Sequence, residues 1–208
     1  MRYEVYIAEQ GKPYPEANHE RRLLSDELDS DGTTILVEAD GQIVGTVRAN
    51  WLDSPVTSSK YHPFFGIEGF SAISPARIAV CSRLAALLEH RYQSARGLLF
   101  DSIYLRGLDR DTQLCFVACA KILVRMFRGY GFREYATPVD DPVVGQLHRF
   151  VLVLDDLDYL AAIKSPFHAL ALERGVKPVE RPWLRGLLES TPSALSMTLQ
   201  DQRDVGRA

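Results

Sequence analysis

The stretch Thr33-Thr34-Ile35-Leu36-Val37-Glu38-Ala39, Asp40-Gly41, Gln42-Ile43-Val44-Gly45-Thr46-Val47-Arg48-Ala49 decides how this chain is read. Two runs rich in β-formers flank a dipeptide that tolerates the positive φ of a type I′ turn. Residues 33–49 are therefore expected to form a β-hairpin. Upstream, Tyr3 to Ala8 reads as a further strand. Glu16 to Leu28 reads as a polar amphipathic helix, and Ser30-Asp31-Gly32 as a turn.

Downstream, residues 51–75 read as a loop carrying Pro55, Pro63 and Pro75 and the aromatics Tyr61, Phe64, Phe65 and Phe70. Arg77 to Leu88 fits a long strand or a helix on periodicity alone. The strand is preferred, although Ser74-Pro75 resembles a helix start. Gly97 to Leu108 reads as a helix and Gln113 to Cys119 as a buried strand. A helix over Ala120 to Phe127 closes on Arg128-Gly129-Tyr130-Gly131, with basic residues and glycine where a helix C-terminus favours them. Phe132 to Thr137 and Phe150 to Leu154 read as strands, the second central because it is uninterruptedly apolar. Asp155 to Ile163 starts another short helix. Residues 1–163 are expected to form a single domain and 164–208 a C-terminal extension, mobile from about residue 190.

The 208 residues carry a formal net charge of −3 and 46% hydrophobic residues, which fits a globular chain and excludes a nucleic-acid binder acting through bulk charge. That average hides a division. Residues 77–133 hold ten Lys/Arg against four acids, whereas the remainder holds 14 basic and 23 acidic residues. Cys81, Cys115 and Cys119 form no Cys-x-x-Cys pair and suit a reducing compartment. The opening MRYEVYIAEQ has no apolar core of a secretory signal, and no apolar run approaches the ~20 residues of a membrane span. A cytoplasmic protein is expected, without nucleic acid or membrane span.

The succession of elements resembles the GNAT superfamily of N-acyltransferases. ILVEADGQIVGTVRA is similar to that family's second and third strands. RLAALLEHRYQSARGLLF is similar to the passage from its fourth strand into the acyl-donor phosphate loop. FVACAKILVRMFRGYGFREY is similar to its fifth strand and following helix. PVVGQLHRFVLVLDDL and the Ser82-Arg83-Leu84 triplet bring the chain nearest to the bacterial long-chain N-acyl amino acid synthases and acyl-homoserine lactone synthases. The resemblance covers about residues 33–136. It implies an α/β (α+β) fold with a mixed, mostly antiparallel central sheet flanked by helices. It also implies a coenzyme A or acyl carrier protein thioester as donor, a small primary amine as acceptor and no metal.

The donor site implied by the resemblance comprises Ala86, Leu87 and Leu88 at the end of the fourth strand, then Arg91, Gln93, Ser94, Ala95, Arg96 and Gly97. In such a loop, backbone N–H groups and a helix N-terminus hold the donor's pyrophosphate. Here Ser94 and Arg96 replace the usual glycine and small residue, so cationic and hydroxyl groups stand where closer backbone approach is customary. A solvated turn is the other reading. Arg91, Arg96, Arg106, Arg110 and Arg128 offer a docking surface for an acidic acyl carrier protein, or lie on separate solvated faces. Phe127 occupies the place where many relatives carry a tyrosine acid, and Tyr130 reads as a packing aromatic.

Glu38 is the candidate general base, or else a surface carboxylate. Arg83, a guanidinium in an apolar strand, needs an anion. It either holds an acceptor carboxylate or pairs with an acid such as Glu38 or Glu68. Tyr61, Phe64, Phe65, Phe70 and Ile73 are expected to line an acyl channel or to pack on the core. His19, His62, His90, His148 and His168 show no metal-ligand spacing. The leading reading is an N-acyltransferase acting on a medium- or long-chain thioester. The alternative is an inactive acyl-thioester or lipid-binding protein of the same fold.

Overall fold

The computed structural model describes residues 1–90 and 94–189, without the side chains of His90, Ser94 and Glu189. The tail expected over 190–208 lies outside the described residues. In chain order the elements are β1 (Ala17–Asn18), β2 (Leu23–Leu24), β3 (Thr33–Ala39), β4 (Gln42–Trp51), α1 (Pro55–Phe65), β5 (Ile78–Ala86) and α2 (Ser94–Asp109). There follow β6 (Leu114–Cys119), α3 (Val124–Tyr130), β7 (Arg133–Asp141), β8 (Gly145–Val153), α4 (Leu157–Ala162), α5 (Pro166–Glu173) and α6 (Pro182–Glu189). The main sheet is mixed and mostly antiparallel, its six strands ordered β3-β4-β5-β6-β8-β7, with helices around it. Residue contacts divide the chain into two compact units, residues 1–116 with 142–144, and residues 117–141 with 145–208.

In the first unit the hairpin forms as its turn chemistry dictates, with Asp40 at φ 51 and Gly41 at φ 75. β4 is buried from Val44 to Trp51, so a central strand runs on from an exposed turn. Gly45 lets α2 approach: a Cβ there would lie 3.0 Å from Leu99 Cδ1. β5 is a strand. Ser74-Pro75 starts only the 3-10 turn Pro75–Arg77, which hands the chain into β5. β5 pairs in parallel with β6 from Ile78↔Leu114 to Val80↔Phe116, then continues to Ala86 alongside β4.

Three local expectations in this unit are corrected. Tyr3 to Ala8 is not a strand but the π-helix Glu4–Glu9, with Val5 buried and Tyr6 aimed at the sheet. Here the tertiary partners of the aromatics outweigh β-propensity. Glu16 to Leu28 is not a helix. Asn18 Oδ1 accepts from the Arg21 N–H at 2.8 Å and Arg22 sits at φ 50, so a local side-chain bond bends the chain into the β1–β2 ladder. Residues 51–75 are not a plain loop. Ser54 caps Thr57 N–H, Pro55 opens α1, and Gly66 at φ 61 closes it. Phe65 and Phe70 pack on Phe116 with ring centroids 5.6 and 5.0 Å apart, so they belong to the core.

In the second unit β7 and β8 pair as a hairpin, with β8 buried from Phe150 to Val153. Gly131 at φ 107 ends α3, its N–H bonding Arg128 O at 3.0 Å, while Phe132 N–H bonds Phe127 O at 3.1 Å. Phe127 is buried against Phe132 and Phe150. Tyr130 packs on Phe167, and its carbonyl accepts from Ser165 Oγ at 2.7 Å. Ser165-Pro166 opens α5 as N-cap and first residue. Among the described residues, no helix is long and apolar enough to cross a membrane.

Candidate active site

The first unit concentrates its charge at a bulge in β5. Thr46 pairs with Ala85 and Arg48 with Ser82, so β5 carries one more residue than β4 between these rungs. Arg83 takes up the difference at φ 55, a left-handed conformation that costs a non-glycine residue ~1 kcal/mol. The bulged backbone is held from above. The Tyr6 hydroxyl donates to Leu84 O at 2.7 Å, and burial pushes the Tyr6 phenol well above its ordinary range.

Around this bulge lie three guanidiniums and two carboxylates. Arg83 Nη2 donates to Asp26 Oδ2 at 2.6 Å, and Arg48 Nη1 donates to Asp26 Oδ1 at 2.5 Å and Asp29 Oδ1 at 2.7 Å. Arg2 Nη1 reaches Asp29 Oδ1 at 2.5 Å. The guanidinium of Arg83 also lies 4.7 Å from the Tyr14 ring centroid. Only 1% of the Arg48 side chain and 5% of Asp26 are exposed, which a charge tolerates only when paired this closely. Burial alone would raise the Asp26 pKa. The hydrogen bonds from Arg48 and Arg83 outweigh it and hold the carboxyl at about 2. Asp29 is lowered too, its burial overcome chiefly by the bond from Arg2. The cluster thus keeps one formal positive charge beyond its own carboxylates.

The anion that justifies Arg83 is Asp26, neither Glu38 nor Glu68. Glu38 is exposed on edge strand β3, at the register shift beside Val37. Glu68 contacts His62. Of the donor-site residues, Ala86 ends β5 buried, Leu87 N–H bonds Val44 O at 2.9 Å and Leu88 is exposed. Arg91 and Gln93 lie outside the described residues. Ser94 opens α2, Ala95 is buried, and Arg96 and Gly97 are half-buried in its first turn. Arg106 lies on α2. Arg110 follows it, 4.0 Å from the Trp51 ring centroid. Arg128, in the second unit, donates to Glu134. Among the described residues no His, Cys, Asp and Glu side chains converge as a metal site.

Asp26, Asp29, Arg48, Tyr6 and Tyr14 escape the sequence reading. One signal was available: Asp26-x-x-Asp29 is a capping-box spacing, and the reciprocal bonds are formed. Nothing local marks Arg48 as buried.

Comparison with known proteins gives the context for this arrangement. The model of one protein family, N-acyl amino acid synthase FeeM, matches residues 1–153. No curated protein matches the chain. Among solved structures, the CoA-dependent acyl-homoserine lactone synthase BjaI, with SAM and isopentyl-CoA, aligns at a TM-score of 0.59 and 17% identity, covering 79% of each chain. TofI, in a ternary complex with an inhibitor and MTA, aligns at 0.61 and 20% identity over 81% of this chain and 88% of its own. FeeM from uncultured soil microbes aligns at 0.57 and 13% identity over 73% and 86%. At these identities the likeness is one of fold.

Proposed function

The chain belongs to the FeeM family of N-acyl amino acid synthases, and we propose that its donor is a medium- or long-chain thioester and its acceptor the primary amine of an amino acid. It is a GNAT-fold acyltransferase that carries out N-acyl transfer from an acyl thioester. The observation that carries the acceptor reading is the Arg83 bulge. A cluster of three guanidiniums and two carboxylates keeps a formal positive charge suited to an acceptor carboxylate. Of the three guanidiniums, Arg83 and Arg2 have most freedom to turn toward it, their side chains 11% and 12% exposed against 1% for Arg48.

On the donor side, Ala86, Leu87 and Leu88 lead the pantetheine arm toward α2. Its first turn, with Ser94, Ala95, Arg96 and Gly97, receives the phosphate by backbone N–H and guanidinium groups, together with Arg91 and Gln93, which come before it in the sequence. Arg96, Arg106 and Arg110 favour an acidic acyl carrier protein over free coenzyme A, and such a protein places the enzyme in the cytoplasm. Glu38 remains a candidate for accepting the amine's proton through water.

Thiol release is the direct test, with decanoyl-CoA and decanoyl-carrier protein each offered a panel of amino acids. Turnover with an amino acid, faster from the carrier protein, is the expected result. Tight thioester binding with no release under any pairing would leave the inactive binding protein in its place. For the donor loop, Arg91→Ala with Arg96→Ala is expected to weaken thioester binding at least ~10-fold at low salt, less as salt rises. Unchanged binding would reduce the loop to a turn.

A further inference from the structure

In the first unit two thiols meet across neighbouring strands. Ala79 pairs with Cys115 in the parallel β5–β6 ladder, and strand alternation puts Cys81 on the same face as Ala79. That face carries Ala49, Trp51 and Ala79, with Cys81 and Ile103 packed against them. The Cys115 thiol donates to Cys81 Sγ at 3.2 Å. Both cysteines are free, Cys81 half-buried and Cys115 buried. Packing asks only for a small apolar residue at each position, whereas two sulfurs in contact add redox chemistry.

The two sulfurs differ in what reaches them. Cys81 is the more accessible residue, so an oxidant meets it first. The bond to Cys81, and then burial, push the Cys115 thiol well above its ordinary range, so it stays protonated until Cys81 has reacted. Their place in the sheet ties them to the site. Val80↔Phe116 is the last rung between β5 and β6, so Cys81 lies one residue beyond that ladder and two before Arg83. Ser82, between them, accepts from Arg48 Nε at 3.2 Å. A disulfide holds its sulfurs about 2 Å apart, so closure draws Cys81 and Cys115 together by roughly 1 Å just ahead of the bulge that sets Arg83 against Asp26.

We propose that Cys81 and Cys115 form a reversible disulfide, driven by peroxide, that regulates the Arg83 site, a role that rests on the acceptor reading above. One oxygen of hydrogen peroxide passes to Cys81, giving a sulfenic acid, and the other leaves as water. The Cys115 sulfur then attacks Cys81 Sγ. The S–S bond forms, the S–O bond breaks, and the departing hydroxyl takes the Cys115 proton as a second water. The thiols are oxidised and the peroxide is reduced by the same electron pair. A dithiol reductant returns both thiols. In a reducing compartment the pair stays open and the site competent. Under peroxide the closed pair displaces Ser82 and Arg83 and weakens the hold on the acceptor carboxylate.

The full chain, treated with hydrogen peroxide, desalted, alkylated in denaturant and digested, tests the linkage by mass spectrometry. The expected product is a peptide pair joined through Cys81 and Cys115, lighter than the free thiols by their lost hydrogens, with Cys119 alkylated and the link broken by dithiothreitol. Unlinked thiols after peroxide, a sulfinic Cys81 beside a free Cys115, or a link through Cys119 overturns the inference. Formation of N-decanoyl amino acid from decanoyl-CoA reads the consequence. The linked form is expected to show an acceptor KM raised at least ~10-fold and restored by dithiothreitol, while Cys81→Ser keeps its KM under peroxide. An unchanged acceptor KM in linked protein overturns the regulatory role. A reduced wild type that makes no product overturns the acyltransferase reading and the regulation with it, while the mass measurement still decides the linkage.

Discussion

Arg83 Nη2 lies 2.6 Å from Asp26 Oδ2 across 57 residues of sequence, while the Arg83 backbone stands at φ 55 inside a strand. The ion pair and the strain belong together: the bulge swings the guanidinium out of the ladder and toward the carboxylate.

That coupling separates two substitutions. Arg83→Ala removes the ion pair and keeps a Cβ in the left-handed region, whereas Arg83→Gly removes the pair and relieves the strain. Urea denaturation is expected to find the glycine variant more stable than the alanine one by ~1 kcal/mol. Equal midpoints would show that the backbone at residue 83 carries no strain.

Asp26 is the shared anion of two buried cations. Asp26→Asn leaves Arg48, with a side chain 1% exposed, leaning on Asp29 and, among the described residues, leaves Arg83 without a charge partner. A loss of ~3–5 kcal/mol is expected. A loss below about 1 kcal/mol, measured at neutral pH, would contradict the buried network.

The same carboxylate sets an acid limit. Its folded pKa of about 2 lies below the ordinary aspartate value of 3.8, so its stabilisation is fully present above pH ~4 and is lost as pH falls toward 2. Asp29, lowered as well, acts in the same direction. Stability followed from pH 6 to pH 2 by circular dichroism should fall mainly below pH ~4, and Asp26→Asn should flatten that fall. A fall of equal size in Asp26→Asn would assign the acid limit to other groups.

Gly131 is required on two counts. Its φ is 107, and an added Cβ would meet Leu160 Cδ2 at 2.5 Å and Leu152 Cδ1 at 3.3 Å. Gly131→Ala is expected to destabilise the protein by ~2 kcal/mol or more. Gly129→Ala, two residues earlier on α3 with open space at its Cβ, is expected to be neutral or mildly stabilising. Reversal of that order by thermal melting would count against the α3 terminus as described.

Much of the fold was legible because its signals are short. Asp40-Gly41 sets the dihedrals of its own hairpin, Gly131 those of the α3 terminus, and the apolar run into Leu154 announces a buried strand. Each physical cause acts within a few residues. The α1 start at Ser54-Pro55 is equally local, but Pro55 stands in a segment whose further prolines read as loop. Tyr3 to Ala8 and Glu16 to Leu28 depart from the sequence expectation because what fixes them is not their own periodicity. Tyr6 needs the Leu84 carbonyl of the β5 bulge, and a side-chain bond at Asn18 outcompetes the helix.

The candidate site divides along the same line. That Arg83 requires an anion follows from its place in an apolar strand, since an unpaired buried guanidinium is too unfavourable to persist. Which anion it takes does not follow, because pairing energy depends on distances of a few ångströms between residues far apart in the chain. The folded chain chose Asp26 over Glu38 and Glu68. Turn and strand chemistry is written in neighbouring residues. The partner of a buried charge is decided only when the sheet brings distant strands side by side.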